Sequence, residues 1–229
     1  MSNRTLRLAF PYTIPVLTGY LFIGIAFGIL LGSKGYGFGW AILMSTCIFA
    51  GSMQFVAISL LTGGFNLAVA FLMTLMVNAR HIFYGLSMLD KFKNFGRKKL
   101  YMVFSLTDET FSLLCSAKAP EGVDPNRFYL CIALLDHLYW ITGSAIGGII
   151  GSVFALNTKG IDFVMTALFV VIFIDQWKFN RNHIPAVTGV LGSFLCLLVF
   201  GPANFILPSM LLLLVILTFF RKPIEGRSS

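Results

Sequence analysis

Ser209-Met210-Leu211-Leu212-Leu213-Leu214-Val215-Ile216-Leu217-Thr218-Phe219-Phe220 carries no charge and turns an apolar side chain to almost every face of a helix. A soluble surface helix keeps a polar face, and a membrane-barrel strand alternates polar and apolar residues over about ten positions, so neither fits this run. A helix surrounded by lipid or by other helices does. Phe163 to Ile174 has the same character.

The rest of the chain agrees. Of its 229 residues 57% are hydrophobic and only 11% charged, which excludes a soluble domain of ordinary composition. A helix needs roughly 20 largely apolar residues to cross a hydrocarbon core of about 30 Å, and there is room for several. The net charge of +8 does not indicate nucleic acid, because the 17 basic residues mostly flank apolar stretches, where they orient helices. Cys47, Cys115, Cys131 and Cys196 all lie within apolar segments without a C-x-x-C pair and are expected as small core residues. Arg4 and Arg7 precede an apolar stretch, Phe10 to Leu31, that is too long for a signal h-region, so it is expected to be a retained first helix.

Hydropathy divides the chain into eight segments, at about 10–31, 40–61, 66–89, 101–115, 128–154, 163–175, 184–200 and 203–220. If all eight cross, the two sides hold nine and seven basic residues, which gives no bias and conflicts with the positive-inside rule. If segments two and four enter and leave on one side, the cytoplasmic side holds 14 and the external side two. Making segment two alone re-entrant gives eight against eight. Segment two carries Ala50-Gly51-Ser52-Met53-Gln54-Phe55 at its middle, and segment four carries Thr107-Asp108-Glu109. Broken helices at membrane depth line cavities, and in transporters their free ends hold the substrate.

The expected fold is therefore an all-α polytopic membrane protein with six to eight transmembrane segments, two of them broken or re-entrant. Residues 1–229 form one transmembrane domain ending in a short polar tail, 221–229, and both termini are cytoplasmic. Gly24, Gly28 and Gly32, and again Gly143, Gly147 and Gly151, form G-x-x-x-G-x-x-x-G ladders. These are faces for close helix packing, against each other or against a partner subunit, and they hint at an internal repeat.

Arg80 lies inside segment three, roughly 20 Å from one helix end and about 14 Å from the other. An arginine at such depth costs at least about 2.5 to 3.5 kcal/mol unless it snorkels, finds a partner or faces a water-filled cavity. Asp108 and Glu109 are the carboxylates able to pair with it, and its planar guanidinium also suits a substrate carboxylate. His81 is a candidate to carry a coupling proton. Asp136, apolar on both sides, is another, whereas Asp175 with Gln176 closes segment six. No H-E-x-x-H, G-x-S-x-G or P-loop occurs, and His81, His137 and His183 lie in separate segments without ligand spacing, so neither enzyme chemistry nor a metal site is expected.

Ala50-Gly51-Ser52-Met53-Gln54-Phe55 resembles the A-G-[AS]-x-Q-F motif of the AzlC family of branched-chain amino acid permeases and exporters, the LIV-E type. Asn78-Ala79-Arg80-His81-Ile82-Phe83-Tyr84-Gly85 resembles its [ND]-x-R-H-x-x-Y-G motif, and Thr107-Asp108-Glu109-Thr110-Phe111 its T-D-E-x-F motif. Trp140 with Gly143 and Gly147, the stretch from Asp162 to Phe169, and Asp175-Gln176 are similar to the remaining pattern, so the likeness runs from about residue 8 to 220. The resemblance implies the large subunit of a secondary transporter in the bacterial inner membrane, exporting valine, leucine, isoleucine and methionine with a small AzlD-like membrane subunit. Gly51, Ser52, Gln54, Asn78, Arg80, Tyr84, Thr107, Asp108 and Glu109 are the expected substrate site. His81, Asp108, Glu109 and Asp136 are the candidates for proton coupling. A channel for an ion or small polar solute, and a non-transporting membrane subunit, are the competing readings.

Overall fold

The computed structural model describes residues 3–64, 66–153, 163, 166, 167, 170, 173, 174, 177, 178 and 182–219, and every regular element among them is helical. They belong to two compact units, Met1–Met165 and Thr166–Ser229. The first holds α1 (Asn3–Ser33), α2 (Phe38–Cys47), α3 (Gly51–Thr62), α4 (Leu67–Ser87), α5 (Lys99–Phe104), α6 (Asp108–Ser116) and α7 (Pro125–Val153). The second holds α8 (Ile184–Asn204) and α9 (Ile206–Phe219), with Gly192 of α8 against Leu212 and Leu213 of α9. Among the described residues, α1, α4, α7 and α8 are long and apolar enough to cross a membrane. With the short apolar helices α2 and α3 between them, the all-α polytopic class holds.

Segments two and four are each broken in two. In the first, Phe49 takes φ 42 and Ala50 leaves the helical region before α3 starts at Gly51. In the second, α5 stops at Phe104 and α6 restarts at Asp108, where Thr107 caps it by accepting from the Thr110 amide at 3.2 Å. At 1.5 Å per residue α2 and α3 are about 15 and 18 Å long and α5 and α6 about 9 and 14 Å, so each is a half-crossing at most.

The direction of each element follows from α7. α1 runs parallel to it: Gly24 lies against Gly143, Gly28 against Gly147 and Gly148, and Gly32 against Gly151. α2 begins beside Gly148 at Phe38 and ends near His137, whose Nε2 lies 3.1 Å from the Ser45 carbonyl. α3 returns, since Leu61 near its end offers its carbonyl to the Tyr36 hydroxyl just before α2. α5 and α6 make the mirror excursion from the other end of α7: Phe104 reaches the level of His137, and by Leu114 the chain is back beside Lys91, whose ammonium donates to the Leu114 carbonyl. Phe92, Phe95, Met102, Leu114, Phe128 and Ile132 close this end in one apolar core. α4 runs antiparallel to α1 and α7 between the two hairpins.

Two units of helix plus hairpin, α1 with α2–α3 and α4 with α5–α6, thus stand in opposite orientations, the plan of inverted-repeat transporters. Arg4, Arg7, Lys91, Lys93, Arg97, Lys98, Lys99, Lys118 and Arg127 gather at one end, and Lys34 stands at the other. The parallel α1 and α7 admit either both hairpins or neither, and of these two the charge count favours both.

One expectation needs correcting. Cys131 and Cys196 are buried, but Cys47 and Cys115 are exposed, because they sit near the ends of half-helices too short to be surrounded. Asp162, Lys159, Asp175, Gln176 and the tail 221–229 lie outside the described residues.

A Cβ at Gly147 would stand 2.1 Å from the Ile25 carbonyl oxygen, and one at Gly28 2.3 Å from backbone atoms of Ser144 and Gly148, whereas Gly19 has open space. Gly147→Val is expected to cost about 3 kcal/mol, at the high end for overpacking. Thermal unfolding of the purified protein in detergent should register that loss, with Gly19→Ala close to wild type.

Candidate functional site

The two hairpin tips touch. Phe49 and Phe104 have ring centroids 6.3 Å apart, and both lean on His137, Phe49 stacked at 4.2 Å and Phe104 edge-on at 5.8 Å. The N-termini of α3 and α6 therefore open toward the same region, and the motif residues sit in their first turns. Aligned peptide dipoles leave partial positive charge at such an end. At α6 that field is answered by Asp108 and Glu109. No side chain caps α3.

α4 places Arg80 between the two ends. Its Nη2 donates to Ser52 Oγ at 2.8 Å and lies 3.0 Å from Asp108 Oδ2. Tyr84, one helical turn on, donates to the other oxygen of Asp108 at 2.7 Å, and its ring stacks on Phe111 at 4.4 Å. About a third of each side chain in the Arg80–Asp108 pair remains exposed. Arg80 Nε and Asn78 Oδ1 are buried without a hydrogen-bond partner. Ser52, Arg80, Tyr84 and Asp108 thus form one connected cluster that still has polar valence to offer.

Thr107 and Glu109 face the other way, toward Tyr20 of α1. The Tyr20 hydroxyl lies 2.5 Å from Thr107 Oγ1 and donates to Glu109 Oε2 at 2.9 Å. Thr107 also contacts Thr110 at 3.0 Å, and Thr110 donates to Asp136 Oδ2 at 2.9 Å. Asp136 is wholly buried and its Oδ1 has no partner.

A third group builds rather than binds. Gln54 is fully buried, with its amide nitrogen on Ser45 Oγ at 3.2 Å and its carbonyl accepting from Trp140 Nε1 at 2.8 Å, so both ends of the amide are used inside the fold. The Trp140 ring covers Gly51, where a Cβ would come within 3.2 Å of it. His137 links Ser45 to Tyr101, whose hydroxyl lies 3.1 Å from Nδ1. His81 stands apart, its Nδ1 3.1 Å from the carbonyl of Asn78 and its ring edge-on to Tyr84. Among the described residues no three His, Cys, Asp or Glu side chains could share a metal ion.

Tyr20, Thr110, Ser45 and Tyr101 are site residues that sequence reasoning missed. Tyr20 does carry a signal: it lies four residues before Gly24, on the ladder face that meets α7.

Residues 15–154 match the family model described as AzlC protein. The branched-chain amino acid transport protein AzlC of Bacillus subtilis (strain 168) is 53% identical over 96% of this chain and 86% of its own length. An uncharacterized membrane protein of Helicobacter pylori is 45% identical over 95% of each chain. The inner membrane protein YgaZ of Escherichia coli (strain K12) is 27% identical over 78% of this chain and 75% of its own. No solved structure matches the chain.

Removing one partner of the Arg80–Asp108 pair strands the other charge among apolar side chains, so the two single losses should exceed the double. In a cycle of Arg80→Gln, Asp108→Asn and the double variant, a coupling of about 1 to 3 kcal/mol is expected in detergent unfolding, in the range for residues sharing a network.

Proposed function

The chain belongs to the AzlC family, and on that premise we propose that it is the large subunit of a secondary transporter moving branched-chain amino acids across the bacterial cytoplasmic membrane. The observation that carries this reading is the cluster of Ser52, Arg80, Tyr84 and Asp108 at the meeting of two half-helix ends, inside an otherwise apolar body. Such ends hold charged substrate groups in transporters built from inverted repeats. The relative named as a branched-chain amino acid transport protein has 53% of its matched residues in common with this chain.

In this mechanism the substrate carboxylate docks at the uncapped start of α3, Gly51 and Ser52, and takes one edge of the Arg80 guanidinium. The ammonium goes to Asp108, released in part from Arg80 as the carboxylate arrives, with Glu109 and Thr107 behind it. Asn78 and Tyr84 hold the head group from α4. Gln54, engaged with Trp140 and Ser45, fixes the start of α3 instead of touching the substrate. Phenylalanine and methionine side chains receive the aliphatic part; such a pocket separates substrates differing by one methylene by only about 1 to 3 kcal/mol, so valine, leucine, isoleucine and methionine all bind.

Energy comes from an ion gradient, with His81, Asp108, Glu109 and Asp136 as the groups able to carry a coupling proton. Transport is outward, both termini lie in the cytoplasm on the lysine- and arginine-rich side, and a small AzlD-like membrane subunit completes the transporter. Residues 1–229 act as one transport domain, and no catalytic step is involved.

The test is counterflow of labelled leucine in membrane vesicles containing the full chain and the small subunit. Saturable counterflow is expected, which a channel does not give. Arg80→Lys keeps the charge and loses the fork, and should lower the rate about tenfold or more, the cost of one hydrogen bond to a charged group at about 1.5 to 3 kcal/mol. Normal counterflow by Arg80→Lys would remove the carboxylate clamp.

A further inference from the structure

Asp136, Thr110, Thr107, Tyr20 and Glu109 form an unbroken line of oxygen contacts at 2.9, 3.0, 2.5 and 2.9 Å, running from the middle of α7 through the first turn of α6 to α1. Four contacts need four protons between them. The three hydroxyls supply three, so without a fourth one pair of oxygens would face lone pair to lone pair. The fourth proton must sit on one of the two end carboxyls. We propose that this line is a proton-binding relay holding one exchangeable proton shared between Asp136 and Glu109, and that it is the coupling site of the transporter; the coupling role rests on the transport reading above.

The unpartnered Oδ1 of Asp136 makes that carboxyl one of the two groups able to hold the proton. A buried carboxylate with one oxygen unsolvated is costly, whereas a neutral carboxyl donating through Oδ2 leaves only a carbonyl oxygen bare. Thr107 donating to Thr110 and Thr110 to Asp136, as the contacts stand, is the state with the proton at the Glu109 end; with the proton on Asp136, Thr110 donates to Thr107, Thr107 to Tyr20 and Tyr20 to Glu109. Transfer to the Glu109 end reverses every donor: the Glu109 carboxyl receives the Tyr20 proton, Tyr20 that of Thr107, Thr107 that of Thr110, and Thr110 that of Asp136. Four O–H bonds break and four form, and no other reactant is needed. Glu109 adjoins Asp108, so the relay ends one residue from the substrate cluster.

Other charged or titratable groups surround the line without interrupting it. Arg80 and Tyr84 are turned to Asp108. Tyr139 is tied to Thr13 at 2.9 Å. His137 and Tyr101 are tied to each other, and His137 also to Ser45.

Two readouts on the purified full chain with its small subunit test the proposal. Infrared spectroscopy should show a protonated carboxyl C=O stretch at neutral pH that shifts in Thr110→Val, returns in Thr110→Ser and weakens in Asp136→Asn. In proteoliposomes, Thr110→Val and Asp136→Asn should lose leucine accumulation driven by a pH gradient at least tenfold and keep leucine counterflow, with Thr110→Ser restoring accumulation. A spectrum without that band, or pH-driven accumulation by Thr110→Val at the wild-type rate, overturns the relay. Wild-type protein that shows counterflow but no leucine accumulation under a pH gradient overturns the coupling role and leaves the transport reading standing, whereas a missing wild-type counterflow with the band present sinks the transport reading alone.

Discussion

The backbone-to-backbone contact of α1 with α7 is the constraint from which the rest follows. Three glycines on each helix remove the side chains that would hold the axes apart, and in a membrane, where lipid competes equally for apolar surface, close packing is what drives helices together. The pair is parallel, which requires an odd number of crossings between its members. It also brings Tyr20 to the level of Asp136 and Trp140, where polar groups of both hairpins meet. The ladder is thus a positioning device: each glycine sets the depth of a residue one turn along.

At that depth electrostatics takes over. An arginine in an apolar body tends to find a counter-charge, and Arg80 finds Asp108 across the junction of α4 and α6 while Ser52 reaches it from α3. Both hairpins are therefore fastened to one guanidinium. The tie is modest because a third of each charged side chain stays exposed. A group that satisfied Arg80 or Asp108 in place of the other would loosen it.

Much of this was legible before any coordinates. The two broken segments followed from a charge count, because orientation obeys a rule that eight crossings would violate. Arg80 announced itself by its cost, and Asp108 by being one of two carboxylates able to meet it. The ladders left two options, each other or a partner, which sequence alone could not separate. Tyr20, Thr110 and Trp140 were harder, since hydroxyls and an indole barely register on hydropathy while their bonding depends on what stands opposite. Regularities were present all the same: Tyr20 sits at ladder spacing before Gly24, and Asp136, Trp140 and Ser144 recur every four residues on one buried face of α7. Cys47 and Cys115 misled because an apolar neighbourhood in sequence says nothing about which side of a short helix is covered.

The opposed hairpins have one more consequence. Phe49 and Phe104 abut beside His137, so each tip is held in place by the other. Withdrawing α2–α3 uncovers the guanidinium from the lysine-poor end and leaves the opposite plug seated; withdrawing α5–α6 does the reverse. Within Met1–Met165 the two hairpins are thus matching latches that enter from opposite ends and close on one guanidinium.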